Sequence, residues 1–234
     1  MRRHTVRPAR KATTATRPGT ERAAKATRKG RETDEAFRAA ARTVFARDGY
    51  LNSRISDIAA EAGKSVASFY NYYDTKADLL AALAEDFHHE ASELTKRPYR
   101  AGLAPQEALR EAVAAFWHTY RRHRGELVGV FQASMLEEEF RERWLAIRAE
   151  GTGMIAAEIR RAQKDGYCPG ADPELTASAL SAMLEHSCYI WMGHGDSGTR
   201  AGTGTGTAAD TAADEERAID ALATIWVKSV YWRP

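Results

Sequence analysis

Cysteine is scarce in this sequence: Cys168 and Cys188 are the only two in 234 residues. Two distant thiols form neither a zinc-ligand pattern nor a disulfide framework, which points to a reducing compartment and a cytoplasmic protein. No apolar run approaches the roughly twenty residues needed to span a bilayer, so no membrane partner is expected. The first residues lack the apolar core of a secretory signal, and only their Arg, Thr and Ala content resembles an organelle transit peptide. Long alternating runs of β-branched residues are missing, which excludes an extensive sheet. The glycines at 193–206 are dispersed and no GK[ST] follows them, so they make no phosphate loop. Catalytic constellations are missing as well. His88 and His89, with Glu85 and Glu93 nearby, are adjacent and point apart on a helix, where a solvated face is expected rather than a metal site. Cys188 and His186 diverge on a helix in the same way, with no acid to orient them. No enzyme activity, cofactor or metal is expected.

Apolar residues make up 44% of the chain and charged residues 28%, enough for a sizeable core. Helical periodicity recurs almost throughout, so the expected fold class is all-α. The net charge of +2 conceals an asymmetry: residues 1–31 hold eleven Lys and Arg against Glu21, leaving −8 on the remainder. A basic arm of this composition, with nothing large and apolar to bury, is expected to be disordered in isolation. It is either a solvated tail or an arm that adds phosphate contacts; Arg7–Arg10 is also compatible with a minor groove.

The stretch from Ser53 to Leu80, SRISDIAAEAGKSVASFYNYYDTKADLL, organises the rest. Ile55, Ile58, Ala59 and Ala62 recur at helical spacing and predict an amphipathic helix. Gly63 follows at a position suited to a left-handed helix end, and Ser65 is placed to cap the next helix. That second helix, expected over Val66–Tyr73, turns Phe69 inward and offers Ser68, Tyr70, Asn71 and Tyr72 on its other faces. Hydroxyls, an amide and phenols on a short exposed helix suit phosphate oxygens and base edges. The pattern is a helix-turn-helix. Before it, Phe37, Ala40, Ala41, Val44 and Phe45 predict a supporting helix that starts at Thr33 or Asp34 and ends at Gly49. After it, Thr75 and Asp78 form a capping-box pattern for a fourth helix running towards Lys96, with Pro98 breaking the chain.

The run AAEAGKSVASFYNYYDTKADLLAAL resembles the signature of the TetR family of bacterial transcriptional regulators. The matching pieces are Asp57–Ala59, the turn at Ala62 and Gly63, the SFYNYY helix and the TKADLL helix start. Arg54 and Lys64 depart from the family pattern, and both add positive charge to a surface expected to face phosphate. The resemblance implies a DNA face made by Ser53, Arg54, Lys64, Ser65, Val66, Ala67, Ser68, Tyr70, Asn71 and Tyr72. It also gives Lys76 a phosphate contact, against the alternative of a solvated surface lysine. The expected organisation is a basic arm at 1–31, a DNA-binding domain at 32–77 and a ligand-binding and dimerisation domain at 78–234.

In that last segment Pro105 opens a helix striped by Leu109, Val113, Phe116 and Tyr120. Val128, Phe131 and Met135 mark a second helix. A third carries Phe140, Trp144, Ile147, Ile155 and Ile159, with Gly151 and Gly153 interrupting it. A break at Gly166–Pro173 precedes two final helices, the last expected over 214–231, separated by a flexible Gly-rich loop at 193–208. The segments ELTASALSAMLEHSCYIW and ALATIWVKSVYW resemble the ethionamide-resistance regulator branch of the family. That likeness implies a homodimer through the last two helices and a tunnel for a small lipophilic effector. Its lining would be Leu109, Phe116, Tyr120, Trp144, Ile155, Leu184, Tyr189 and Trp226, with Ser181 and Glu185 as polar groups. The concentration of stiff rings supports a walled cavity, although an aromatic stripe at helical spacing also makes ordinary core. Buried among apolar neighbours, Glu185 needs a partner, either His186, an arginine or the ligand. The reading is a ligand-responsive repressor of a near-palindromic operator. The alternatives are a non-specific DNA-binding protein and a lipophilic-ligand carrier with no operator.

Overall fold

The computed structural model describes residues 28–192 and 208–234. Among them are nine α-helices and no strand. Most of the expected basic arm and nearly all of the expected Gly-rich loop lie outside the described residues. The arm's last residues, 28–31, are helical: α1 runs Arg28–Asp48, extended by an Arg28–Glu32 ion pair and by the Thr33 hydroxyl donating to the Lys29 carbonyl. The first helix therefore starts about one turn earlier than its apolar pattern suggests.

Helices α2 (Ile55–Glu61) and α3 (Val66–Tyr70) form the predicted pair. Gly63 takes the left-handed φ of +63°, which a side chain would resist. The Lys64 amide reaches back to the Ala59 carbonyl at 2.9 Å, closing α2 in the expected way. The Ser65 hydroxyl accepts from the Ser68 amide at 3.0 Å. Helix α3 is shorter than expected because Asn71 caps it and the Tyr72 and Tyr73 amides both turn back to the Phe69 carbonyl.

Helix α4 (Lys76–Arg100) begins at the predicted capping box, with the Thr75 amide on Asp78 at 2.9 Å and the Asp78 amide on the Thr75 hydroxyl at 3.1 Å. Pro98 does not break it. Only two helical residues follow the proline, and the helix ends just before Gly102, which adopts a φ of +74°. Next come α5 (Pro105–Arg122), α6 (Arg124–Leu136) and α7 (Glu138–Lys164), the last continuous through Gly151 and Gly153. Helices α8 (Pro173–Met192) and α9 (Ala208–Val230) complete the body.

Buried side chains gather into two clusters. One joins Phe37, Val44, Phe45, Ile58 and Phe69 of the small head to Leu79, Leu80 and Leu83 of α4, and to Val130, Ala133, Phe140 and Trp144 of the body. The other joins Phe87 and Ala91 of the same α4 to Leu109, Trp117, Ile159, Leu184 and Trp226. A single helix thus supplies apolar surface to both cores.

Where α6 crosses the head, its stripe is small: Gly125, Gly129 and Ala133. A Cβ at Gly129 would lie 2.8 Å from the Tyr50 Cβ, and one at Gly125 would lie 3.0 Å from the Ala46 Cα. The seam has no slack. Gly129→Ala should destabilise the fold by about 1–3 kcal/mol, the usual result of overpacking. Gly153→Ala meets nothing within 4 Å and should stabilise by up to about 1 kcal/mol through helix propensity. Urea unfolding of the two variants measures both, and equal effects would show that the seam is not tight.

Candidate functional site

Two sites are built around α4. The first is the exposed face of the head. Phe69 is fully buried, its ring edge-on to Phe37 at 5.5 Å. The Tyr73 hydroxyl holds Asp34 of α1 at 2.5 Å. With α3 anchored from beneath, Val66 and Tyr70 stand 40% and 53% exposed. Arg54, Lys64, Ser65, Ala67 and Asn71 are exposed around them and Ser68 is half-buried. Together they make a convex surface, with two free-standing cations at its edge and phenol, amide and hydroxyl groups along one short helix.

Three expected members of that face are employed elsewhere. Ser53 is buried, its hydroxyl donating to the Tyr50 carbonyl at 2.8 Å. Lys76 turns inward: its ammonium donates to the Tyr50 and Ser53 carbonyls and lies 4.2 Å from the Tyr50 ring centre. Burial lowers its pKa, and its ammonium ties down the loop before α2 instead of standing free for phosphate. Tyr72 is half-buried with its ring 5.8 Å from Phe37, so it supports α3 as much as it faces outward.

The second site is a cavity of about 440 Å³ inside the body, within the usual range for small-molecule pockets. Helices α4 and α7 run along it in the same direction. His88 lies beside Gly151, Ser92 beside Met154 and, at the far end, Tyr231 beside Glu158. Of the expected lining, Leu109, Phe116, Ile155, Ser181, Leu184, Glu185 and Trp226 reach it. Three expected members do not. Tyr120 is buried behind the wall against Phe87 and Phe116. Trp144 packs into the head cluster. Tyr189 lies outside on Phe131 and His186, 38% exposed. His88, Arg148, Met154 and Tyr99 are lining residues that the sequence pattern did not single out. Of the expected rings, Phe116 and Trp226 stand in the wall, and small residues of α4 and α7, among them Ala91, Ser92 and Gly151, line it as well.

Glu185 finds an arginine. The Arg148 Nε donates to both carboxylate oxygens at 3.0 Å, and Nη2 donates to the Ser178 carbonyl at 3.2 Å. Burial raises the Glu185 pKa against the opposing pull of Arg148. Burial and the Arg148 charge push His88 down to about 4, and its enclosed Nε2 has no hydrogen-bond partner. Burial also pushes the Cys188 thiol up, so the thiolate a nucleophile needs is disfavoured.

A helix-turn-helix head joined by a long shared helix to a helical body defines the architecture, and known proteins share that fold. The family model described as "Bacterial regulatory proteins, tetR family" matches residues 37–83. The "Tetracyclin repressor-like, C-terminal domain" model matches residues 102–195. The chain belongs to the TetR family. It is similar to the HTH-type transcriptional regulator EthR of Mycolicibacterium smegmatis, 23% identical over 222 residues that cover 94% of this chain and 96% of that one. It is also similar to the HTH-type transcriptional repressor NicS of Pseudomonas putida, at 28% identity over 166 residues, 69% of this chain and 76% of that one. A crystal structure of a TetR-family regulator from Syntrophomonas wolfei superposes with a TM-score of 0.68 at 18% identity, over 85% of this chain and 94% of that one. As a TetR-family protein, the chain is a DNA-binding transcriptional regulator.

Between the head and the cavity runs a chain of charges. Glu126 is 2% exposed and held by His123 and, at 3.3 Å, by Arg42 of α1. The other His123 nitrogen meets Glu90 at 2.8 Å. Arg42 continues to Asp86, Asp86 to Arg38, Arg38 to Asp34, and Asp34 to Tyr73 beside α3. Burial lowers the His123 pKa, but hydrogen bonds and charge from Glu126 and Glu90 outweigh it and leave the value raised. Such a group contributes its full stability below the unfolded-state pKa, about 6.5 for histidine, and loses it as pH rises through the folded-state value. Thermal stability should therefore decline as pH rises from about 6.5, and His123→Gln should flatten that decline. Melting temperatures across pH measure it, and an unchanged slope would remove His123 from the account.

Proposed function

We propose that this TetR-family protein is a homodimeric repressor. In this reading, paired α3 helices hold successive major grooves of a near-palindromic operator, and a small apolar effector in the cavity releases it. The observation that carries the reading is α4. Over Leu79–Leu83 it is part of the head core, and from His88 to Arg100 it walls the cavity. An occupant that changes the α4 tilt changes the spacing of two heads, and it releases DNA only to the extent that it binds the released state better. DNA contacts fall to Tyr70, Asn71, Val66, Ser65, Ala67 and Ser68, with Arg54 and Lys64 near phosphate.

The dimer reading is supported by apolar side chains that the isolated chain leaves exposed on its last two helices. Ile190 and Trp191 of α8 and Ile225 of α9 are 46%, 53% and 49% exposed, a patch of the kind buried between subunits. The protein is accordingly expected in the cytoplasm, with operator DNA, an effector and a second copy of itself as partners.

Fluorescence anisotropy with DNA from upstream of the protein's own gene tests the reading. Tyr70→Ala should lower affinity at least tenfold while the melting temperature holds, because the Tyr70 side chain is exposed. Ile225→Glu should yield a monomer on native mass spectrometry and lose operator binding with it. Random DNA competing as well as the operator would make the protein a non-specific binder. No shift at low salt with any upstream fragment would make it a ligand carrier.

A further inference from the structure

The two ends of the cavity differ in chemistry, and the difference specifies its ligand. From His88 to Arg100 the α4 wall is about 18 Å long at 1.5 Å per residue, so the space suits an elongated molecule. At the rim the ion pairs are solvated: Lys96 and Arg100 pair with Glu93 and Arg161 with Glu158, and the three basic side chains are 35%, 60% and 70% exposed. At the inner end, Arg148 and Glu185 are 14% and 13% exposed and cancel one another through a two-oxygen contact. Beside this charge-balanced pair stand two further polar groups. The His88 Nε2 has no hydrogen-bond partner, and among the described residues the Ser181 hydroxyl has none either. Between the ends the wall is apolar, with Leu109, Phe116, Ile155, Leu184 and Trp226.

A charged head entering the inner end would lose its hydration and find no net opposite charge, which is costly. A carboxylate would have to compete with Glu185 for an arginine already engaged. A hydroxyl or carbonyl would lose far less, because it can exchange water for a hydrogen bond to Ser181 or to the imidazole.

We propose that the cavity selects an elongated, uncharged amphiphile, such as an alcohol, ketone or ester on an alkyl chain, with its polar head at His88, Ser181 and the Arg148–Glu185 pair. This rests on the cavity being the effector site. The head then lies against α4 one residue beyond Phe87, and against the His88 ring that packs on Trp144 at 5.2 Å. It is the end of the cavity nearest the DNA-reading head, so the polar group, rather than the tail, meets the elements that join the two cores.

Isothermal titration calorimetry of the full-length protein with decanol and with decanoate at neutral pH tests the assignment. The wild type should bind decanol at least tenfold more tightly. Glu185→Gln uncovers the Arg148 cation and should move the preference at least tenfold towards decanoate. Arg148→Gln combined with Glu185→Gln makes the end neutral again and should restore the preference for decanol. Circular dichroism melts of the empty variants show that each is folded. A wild-type preference for decanoate, or a ratio that Glu185→Gln leaves unchanged, overturns the inference while the effector cavity stands. Binding of neither probe also overturns it, and the operator titration judges the regulator reading independently.

Discussion

A carboxylate in the middle of the protein fixes the relation between its two parts. Glu126 is 2% exposed, and a buried charge persists only where the fold supplies partners. Here one partner, His123, comes from the corner between α5 and α6, and the other, Arg42, comes from α1 in the head. Glu126 is the buried member of the set, while Arg42 is about a third exposed, so loss of Arg42 is partly offset by water. The head cannot move away from α6 without giving up Arg42, unless Asp86 and Arg38 rearrange with it. Those residues belong to α4 and α1, so the ionic chain ends at Asp34 and Tyr73, beside α3.

Two kinds of contact therefore hold the head, and they respond differently to force. At the seam Gly125 sets α6 against the Ala46 backbone of α1 and Gly129 sets it against the Tyr50 side chain, with no room for a Cβ at either. The ionic chain is a set of directional but exchangeable pairs, several of them half exposed. Packing of the first kind is close to rigid, whereas pairs of the second kind can swap partners at modest cost. Helix α4 is common to head and body: its first half packs in the head cluster and its second half walls the cavity.

Much of the head was legible from sequence because its signals are local. Gly63, Ser65, Thr75 and Asp78 act on the nearest turn of backbone, so spacing alone locates them. Side-chain direction in loops was less legible. Ser53 and Lys76 belong to stretches that face DNA in the family pattern, yet both serve the loop at Tyr50, and no spacing rule reports a lysine folded over a ring 26 residues away. The start of α1 was also missed, because an exposed basic turn held by an i,i+4 ion pair has no apolar period. Pro98 was read as a break because position within a turn, which decides whether proline is tolerated, is set by where the helix ends.

The cavity exposes a deeper limit of pattern reading. Aromatic stripes on α5, α7 and α8 suggested walls, and Tyr120, Trp144 and Tyr189 proved to be core, core and surface. Large rings are the residues best able to fill space, so their abundance says where packing succeeds. A void requires facing residues that are too small to meet, and facing is a property of two helices at once. His88 on α4 becomes informative only when Gly151 on α7 is known to lie beside it. Glu185 was the better guide from sequence, since an acid on an apolar stripe demands a partner whatever the packing. That demand is met by Arg148, which lies on a different helix 37 residues away.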